Sequence, residues 1–304
     1  MYTFTYERPT TLAEAQRLIA AGGQALAGGQ TLLASMKQRL ASPEQLVDLG
    51  RVAELQGVCQ EGQSLVIGAM TCHADVAANA LVKQHIPGLA ELAGQIGDKQ
   101  IRAMGTLGGS VANNDPAACY PSAVLALDAT IHTTQRKIAA ADFFQGMYST
   151  ALEAGELITA ISFPIPAKSV YLKFMQPASR FALVGVFVAK TTTGVRVAVT
   201  GAASGGVFRH ADLEAALNQS FTPAAAAAEL GQLVAPVALQ IEQRRQVAVV
   251  DADIAFCRHH GLGMQRHARP RELQHPKVIR PVAHDHRIRQ RDAQPRGDVM
   301  QRID

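Results

Sequence analysis

Apolar residues recur every three or four positions at Leu12, Ala15, Leu18 and Ile19, the spacing of one face of an α-helix. Thr11-Leu-Ala-Glu14 stands before them as a capping box, a hydroxyl at the N-cap and a carboxylate three residues on. Gly22-Gly23 stops the helix. The apolar run Gln24 to Ala27 predicts a short strand that opens into Gly28-Gly29-Gln30-Thr31. A second helix is predicted over about Leu32 to Leu40, and Gln45 to Leu49 reads as a buried strand. These pieces make a small β/α unit over residues 1–57.

A second unit follows over 58–165. Ser64 to Ala69 reads as a strand and Thr71 to Val82 as a helix with Thr71 at its N-cap. A short helix over Pro87 to Gly94 leads into a glycine-rich loop from Gly97 to Gly109. Asp115-Pro116 has the form of an N-cap with proline at the first helical position, which predicts a helix from Ala117 to Leu127. Ala129 to Thr133 and Glu156 to Phe163 read as strands, and Phe163-Pro-Ile-Pro166 marks a domain boundary. Beyond it, Phe181 to Lys190 and Gly194 to Gly201 alternate as two strands of a hairpin turning at Thr191–Gly194. Two alanine-rich helices are predicted near Ala211 to Asn218 and Pro223 to Leu230. The expected fold class is α+β, with a C-terminal domain over 170–256 that sets an antiparallel sheet on helices.

Charge changes this picture only at the end of the chain. The 304 residues carry a formal net charge of +4. Residues 257–304 hold 11 Lys+Arg against 5 Asp+Glu, which leaves 18 against 20 for residues 1–256. The body is therefore not basic, and no nucleic-acid partner is expected for it. In 257–304 apolar periodicity is lost and arginine outnumbers lysine ten to one. Three readings of that stretch stand: a solvated basic tail, arginine-rich text produced by a frameshift, or a nucleic-acid arm. No run approaches the roughly 18 apolar residues of a membrane span. Cys59, Cys72, Cys119 and Cys257 stand far apart, so no metal site or disulfide framework is expected. No secretory signal is visible at Met1 to Arg8, and a reducing cytoplasm is the expected compartment.

Two loops carry the candidate chemistry. Ala27-Gly28-Gly29-Gln30-Thr31 lies between a strand and a helix, where glycines admit close backbone approach and a helix start offers unpaired N–H groups to a pyrophosphate. An ordinary tight turn is the plainer reading of that loop alone. The second, Gly97 to Gly109, continues through Ser110-Val-Ala-Asn-Asn-Asp-Pro116 and is long enough to suggest a functional loop. Neither matches the Rossmann or P-loop fingerprints. His73 and His132 have no second ligand at metal spacing and read as satisfied or exposed imidazoles. Ser204-Gly205-Gly206 reads as a turn.

Taken together, Ala27–Thr31, Ile67-Gly-Ala-Met-Thr71 and Gln100-Ile-Arg-Ala-Met-Gly-Thr-Leu-Gly-Gly-Ser110 resemble the FAD-binding medium subunit of molybdenum hydroxylases. The nearest resemblance is to the carbon monoxide dehydrogenase type, kin of the xanthine dehydrogenase FAD subunit. Lys173-Phe-Met-Gln-Pro-Ala-Ser-Arg-Phe-Ala-Leu-Val184 resembles the opening of that family's C-terminal domain, and the likeness covers about residues 1–235. It implies a PCMH-type domain whose two subdomains clasp non-covalent FAD. It also implies two partners, a large molybdopterin subunit that oxidises substrate and a small [2Fe–2S] subunit that relays electrons, with an external electron acceptor beyond the flavin. The expected role is thus electron transfer, with no catalytic acid or base of the chain's own.

By that resemblance Ala27, Gly28, Gly29, Gln30 and Thr31 wrap the pyrophosphate, and Thr106, Leu107, Gly108, Gly109 and Ser110 line its other side. Ile158 falls where an aliphatic side chain meets the flavin ring, although a plain strand core residue is the stronger reading of the sequence alone. Arg102 either supports the loop or faces a partner. Two positions depart from the pattern. Cys119 stands where many members carry a carboxylate; Asp115, four residues earlier, either substitutes for it or caps a helix. Met175 stands where many members carry a lysine near the flavin, and Lys173, on the same face if the strand is regular, is its expected substitute. Two other functions remain open at this point: a free-standing FAD oxidase, and a degenerate assembly subunit that has lost FAD.

Overall fold

A computed structural model of the chain describes residues 1–222. β1 (Thr5–Glu7), α1 (Leu12–Ala20), β2 (Gln24–Leu26), α2 (Leu32–Lys37) and β3 (Gln45–Asp48) come first. The strands form a parallel sheet in the order β1-β3-β2. Side chains alternate across a strand, and central β3 uses both faces. Val47 packs with Ala15 of α1, while Leu46 packs with Leu26 and Met36 of α2. Thr11 caps α1 by accepting from the Glu14 amide at 3.3 Å. The Leu12 amide donates to the Glu54 carboxylate, so a later residue shares the work of the expected box.

β4 (Val58–Glu61) and β5 (Ser64–Gly68) begin the second layer, followed by α3 (His73–Ala78), α4 (Ala80–His85), α5 (Pro87–Gly94), α6 (Lys99–Met104), α7 (Leu107–Asn113) and α8 (Tyr120–Ala126). Next come β6 (Thr130–Thr133), β7 (Lys137–Ala139), α9 (Ala140–Phe143), β8 (Phe144–Gly146), β9 (Ser149–Thr150) and β10 (Ile158–Pro164). Their main sheet is antiparallel, in the order β4-β5-β10-β6-β7. Leu65, Ile67, Ile131, Ile161 and Phe163 leave it fully buried, against helices that include a wholly buried α8.

β11 (Lys168–Met175), β12 (Ala182–Thr191), β13 (Gly194–Thr200) and β14 (Phe208–Arg209) form a third, antiparallel sheet in sequence order, and α10 (Ala211–Gln219) follows. Tyr171, Phe187 and Ala198 join the core that contains α8. Val195 and Val197 turn to the other face and meet Leu213 and Leu217 of α10. This mixture of segregated helices and largely antiparallel sheets is the expected α+β class.

Several sequence expectations are corrected locally. The helix expected over 71–82 is two helices, because the Asn79 side chain accepts from the Leu81 and Val82 amides and caps α4 afresh. Thr71 caps nothing; its hydroxyl bonds both the N–H and the carbonyl of Gly57. The Gly97–Gly109 loop holds two helix starts, with Asp98 capping α6 at the Ile101 amide and Thr106 capping α7 at the Gly109 amide. Asp115 closes a turn by accepting from the Ala117 amide at 2.8 Å, so the next helix starts later, at Tyr120. α2 ends at Lys37 rather than near Leu40, and Arg39 follows with φ +62°. The helix expected near Pro223 to Leu230 and the tail over 257–304 lie outside the described residues.

Candidate functional site

The two glycine loops meet. A Cβ on Gly28 would stand 2.1 Å from the Met104 carbonyl oxygen and 2.7 Å from the Gly105 Cα, so only glycine permits this approach. A Cβ on Gly108 would stand 2.6 Å from the Ala69 side chain, which seats α7 on the end of β5. Together these contacts draw the loops to one side of a cleft of about 620 Å³, within the size range of cofactor sites.

Thirteen of the fourteen expected residues line that cleft: Ala27, Gly28, Gly29, Gln30, Thr31, Thr106, Gly108, Gly109, Ser110, Asp115, Cys119, Ile158 and Lys173. Leu107 does not. It is fully buried, and its amide donates to the Thr71 carbonyl at 3.0 Å. An apolar residue at the start of α7 turns into the core while its glycine neighbours face the cleft.

Local bonds set what each lining group offers. Gln30 folds back, its side-chain amide donating to the Gly28 carbonyl at 3.0 Å. The Thr106 hydroxyl is occupied in capping α7, whereas Thr31 makes no capping bond. Asp115 uses both oxygens, one on the Ala117 amide and one accepting from the Tyr148 hydroxyl at 3.2 Å. Cys119 is 5% exposed and neighbours the Tyr171 hydroxyl, which burial pushes upward in pKa. Lys173 reaches across to donate to the Gln95 carbonyl at 2.9 Å.

Met175 corrects the expected alternation. The β11–β12 register shifts between Phe174 and Met175, with Leu183 of β12 the unpaired residue, and the pairing ends at Met175, which is left exposed. Lys173 lines the cleft while Met175 does not.

His73 corrects another expectation. It lines the cleft at 5% exposure, and its Nδ1 has no partner. Its ring lies 5.3 Å from that of Tyr120. Burial, aided by the Arg102 charge, lowers it to about 4, so the imidazole is neutral at pH 7. Met70, Gly105, Ile101, Arg180 and Phe181 also line the cleft. No periodicity or spacing marks them, because they reach it from three separate stretches of chain.

The cleft suits FAD on two grounds. The glycines let the two loops pack backbone to backbone along one wall, where any larger residue would push them apart, and His73 Nδ1 is an orphaned polar atom in that lining. Among the described residues no group of three His, Cys, Asp or Glu is placed to hold an ion. Nor, among them, is any helix long and apolar enough to cross a membrane.

Comparison with known proteins identifies the family. A family described as the FAD binding domain in molybdopterin dehydrogenase matches residues 2–166. The carbon monoxide dehydrogenase medium chain of Afipia carboxidovorans is 39% identical over 202 residues, 63% of this chain and 70% of that one. Its counterpart in Hydrogenophaga pseudoflava is 34% identical over 247 residues, 76% of this chain and 86% of that one. The solved carbon monoxide dehydrogenase of Hydrogenophaga pseudoflava superposes with TM-score 0.69 at 35% identity, over 75% of this chain and 85% of that chain. Quinoline 2-oxidoreductase from Pseudomonas putida 86 superposes with TM-score 0.71 at 29% identity, over 76% and 85%. With the matched family spanning over half its length and relatives of this closeness, the chain belongs to the FAD-binding medium subunits of the molybdenum hydroxylases, an oxidoreductase subunit whose cofactor is FAD.

Proposed function

We propose that this chain holds FAD non-covalently in the 620 Å³ cleft and relays electrons through it. On this reading, electrons arrive from the [2Fe–2S] clusters of a small partner subunit and leave for an external acceptor. The substrate is oxidised upstream, at a molybdopterin centre on a large partner subunit. The contact of Gly28 with Met104 and Gly105 carries the reading, because it makes one site of two loops 77 residues apart in sequence.

The residues divide the labour. Ala27–Thr31 offer the pyrophosphate backbone N–H groups and the Thr31 hydroxyl, Thr106, Gly108, Gly109 and Ser110 line its other side with the Ser110 hydroxyl as a donor, and the segments near 1–57 and 58–165 act as the two arms of the clasp. Ile158, 6% exposed at the start of β10, gives the isoalloxazine an apolar wall that excludes water. Cys119 and Asp115 would face the flavin from the cleft lining, and Lys173 would put a positive charge beside it. When bound, FAD supplies the redox chemistry, and the protein supplies placement and electrostatics. Isolated cysteines fit a reducing cytoplasm as the compartment.

The test is the visible spectrum of the purified full chain, followed by acid precipitation. Flavin bands with FAD in the supernatant support the reading. A colourless protein that takes up no added FAD supports a degenerate assembly subunit instead. Substrate turnover by the isolated chain supports a free-standing oxidase.

A further inference from the structure

His73 stands where the two glycine loops meet. It opens α3, and its amide donates to the Gly105 carbonyl at 2.9 Å, while Cys72 before it pairs with Thr106 in an antiparallel bridge. A Cβ on Gly105 would stand 2.6 Å from His73 Nε2. Gly28 closes on the same residue from the first loop, since a Cβ on it would stand 2.7 Å from the Gly105 Cα. The imidazole therefore packs against the one residue that joins the two loops.

The two ring nitrogens differ. Neither bonds to another residue. Nδ1 is wholly buried, so the edge that reaches the cleft lining is the one carrying Nε2, on the Gly105 side. A neutral imidazole has a single N–H. On Nδ1 that hydrogen would be a buried donor with no acceptor, a rarer defect in proteins than a bare acceptor. Tyr120 stands beside it with a hydroxyl that is also unpartnered, its ring 5.3 Å from the imidazole. Burial keeps that hydroxyl protonated by raising its pKa, so it offers Nδ1 a donor. The imidazole hydrogen therefore sits on Nε2. Arg102, whose charge acts on His73, is engaged on the Ile96 and Gly97 carbonyls at 2.9 and 3.1 Å. Nε2–H is left at the junction as a donor without a protein acceptor.

A donor held where two glycine loops meet, and given no partner by the protein, needs its acceptor from the ligand. We infer that His73 is a direct contact of bound FAD, its Nε2–H donating to an oxygen of the pyrophosphate. The inference rests on the proposed flavin reading, and it adds a buried side-chain donor to a site otherwise made of backbone N–H groups and hydroxyls. A hydrogen bond to a charged oxygen is about twice as strong as a neutral one, and the low dielectric of a buried wall strengthens it further. A leucine would fill much the same space, so hydrogen bonding rather than packing is what an imidazole contributes here.

The test titrates the full chain, stripped of flavin, with FAD and follows flavin fluorescence in wild type, His73→Gln, His73→Asn and His73→Leu. The Gln amide nitrogen reproduces Nε2, whereas Asn reproduces Nδ1 and Leu neither. The expected result is that His73→Gln keeps the wild-type affinity, while His73→Asn and His73→Leu bind about tenfold more weakly, the scale of one charge-assisted hydrogen bond. Phosphorus NMR of FAD on the saturated chain should show its resonances displaced in His73→Leu and restored in His73→Gln. Nitrogen NMR of the labelled wild-type imidazole, which requires no variant to fold, should place the hydrogen on Nε2. Equal affinity in wild type and His73→Leu overturns the inference. So does an equal loss in His73→Gln and His73→Leu, which assigns His73 to packing, and so does a hydrogen on Nδ1. Phosphorus resonances that ignore His73→Leu overturn the contact with the pyrophosphate. A wild type that takes up no FAD overturns the flavin reading itself, and with it this inference.

Discussion

Gly28 lies so close to Met104 that a methyl group on it would stand 2.1 Å from the Met104 carbonyl oxygen. That oxygen belongs to the backbone, so it yields only if the second loop moves. Gly28→Ala should therefore part the two loops. The expected loss is about 1–3 kcal/mol of stability, the usual cost of overpacking, together with at least roughly tenfold weaker FAD retention, since about 1.4 kcal/mol is a factor of ten. Thermal unfolding and FAD content after gel filtration check both. A variant with full FAD and unchanged melting removes the contact from the account.

His73 makes stability depend on pH. Its folded pKa is lowered to about 4 by burial and Arg102, against an ordinary value of 6.5. The unfolded chain therefore binds more protons between these values, and the His73 contribution is present above pH 6.5 and lost as pH falls toward 4. The shift corresponds to roughly 3 kcal/mol at 1.36 kcal/mol per pKa unit. His73→Gln should flatten that part of the curve. Denaturant melts between pH 4 and 7 for both proteins decide it.

Lys173, and not Met175, should tune the flavin. A positive charge near the ring favours the anionic reduced form, so Lys173→Gln should lower the midpoint potential by tens of millivolts, on the order of 1 kcal/mol for a two-electron couple. Met175→Lys should leave the potential unchanged, because that side chain lies outside the cleft wall. A redox titration with an upward shift in Met175→Lys would contradict this.

Glu156 ties the strand before Ile158 to its neighbours. Its carboxylate accepts from Arg136, from the Thr133 hydroxyl at 2.6 Å and from the Glu153 amide at 2.8 Å. Burial opposes its ionisation, yet these bonds hold its pKa below the ordinary value. Its contribution is therefore present at neutral pH and lost as pH falls through the lowered pKa. Glu156→Gln should cost about 1–3 kcal/mol by leaving buried groups unsatisfied, and it should loosen the Ile158 wall. Urea unfolding and FAD off-rate measure the two effects.

Long periodic or alternating runs were legible without a structure. α1 follows the repeat of Leu12, Ala15, Leu18 and Ile19, and β12 and β13 follow their apolar runs on either side of the Thr191–Gly194 turn. Short edge strands were not. β1, β4 and β7 have three or four residues each, too few to show a period, and they form only because a neighbouring strand supplies their hydrogen bonds. The α3–α4 break turned on one side chain, Asn79, whose capping role depends on a backbone angle that composition does not encode.

The candidate site divides along the same line. The glycine loops were legible in the sequence, because close backbone approach demands glycine, whereas Ile158, Cys119 and Lys173 were expected only from the family resemblance. The tertiary structure alone decided that Leu107 turns inward, that His73 is buried neutral in the cleft wall, that Met175 is swung aside, and that Lys173, Arg102 and Arg180 share one end of the cleft. Residue type reports what a side chain can do. Burial, register slips and the meeting of charges from distant segments arise only when the chain closes on itself.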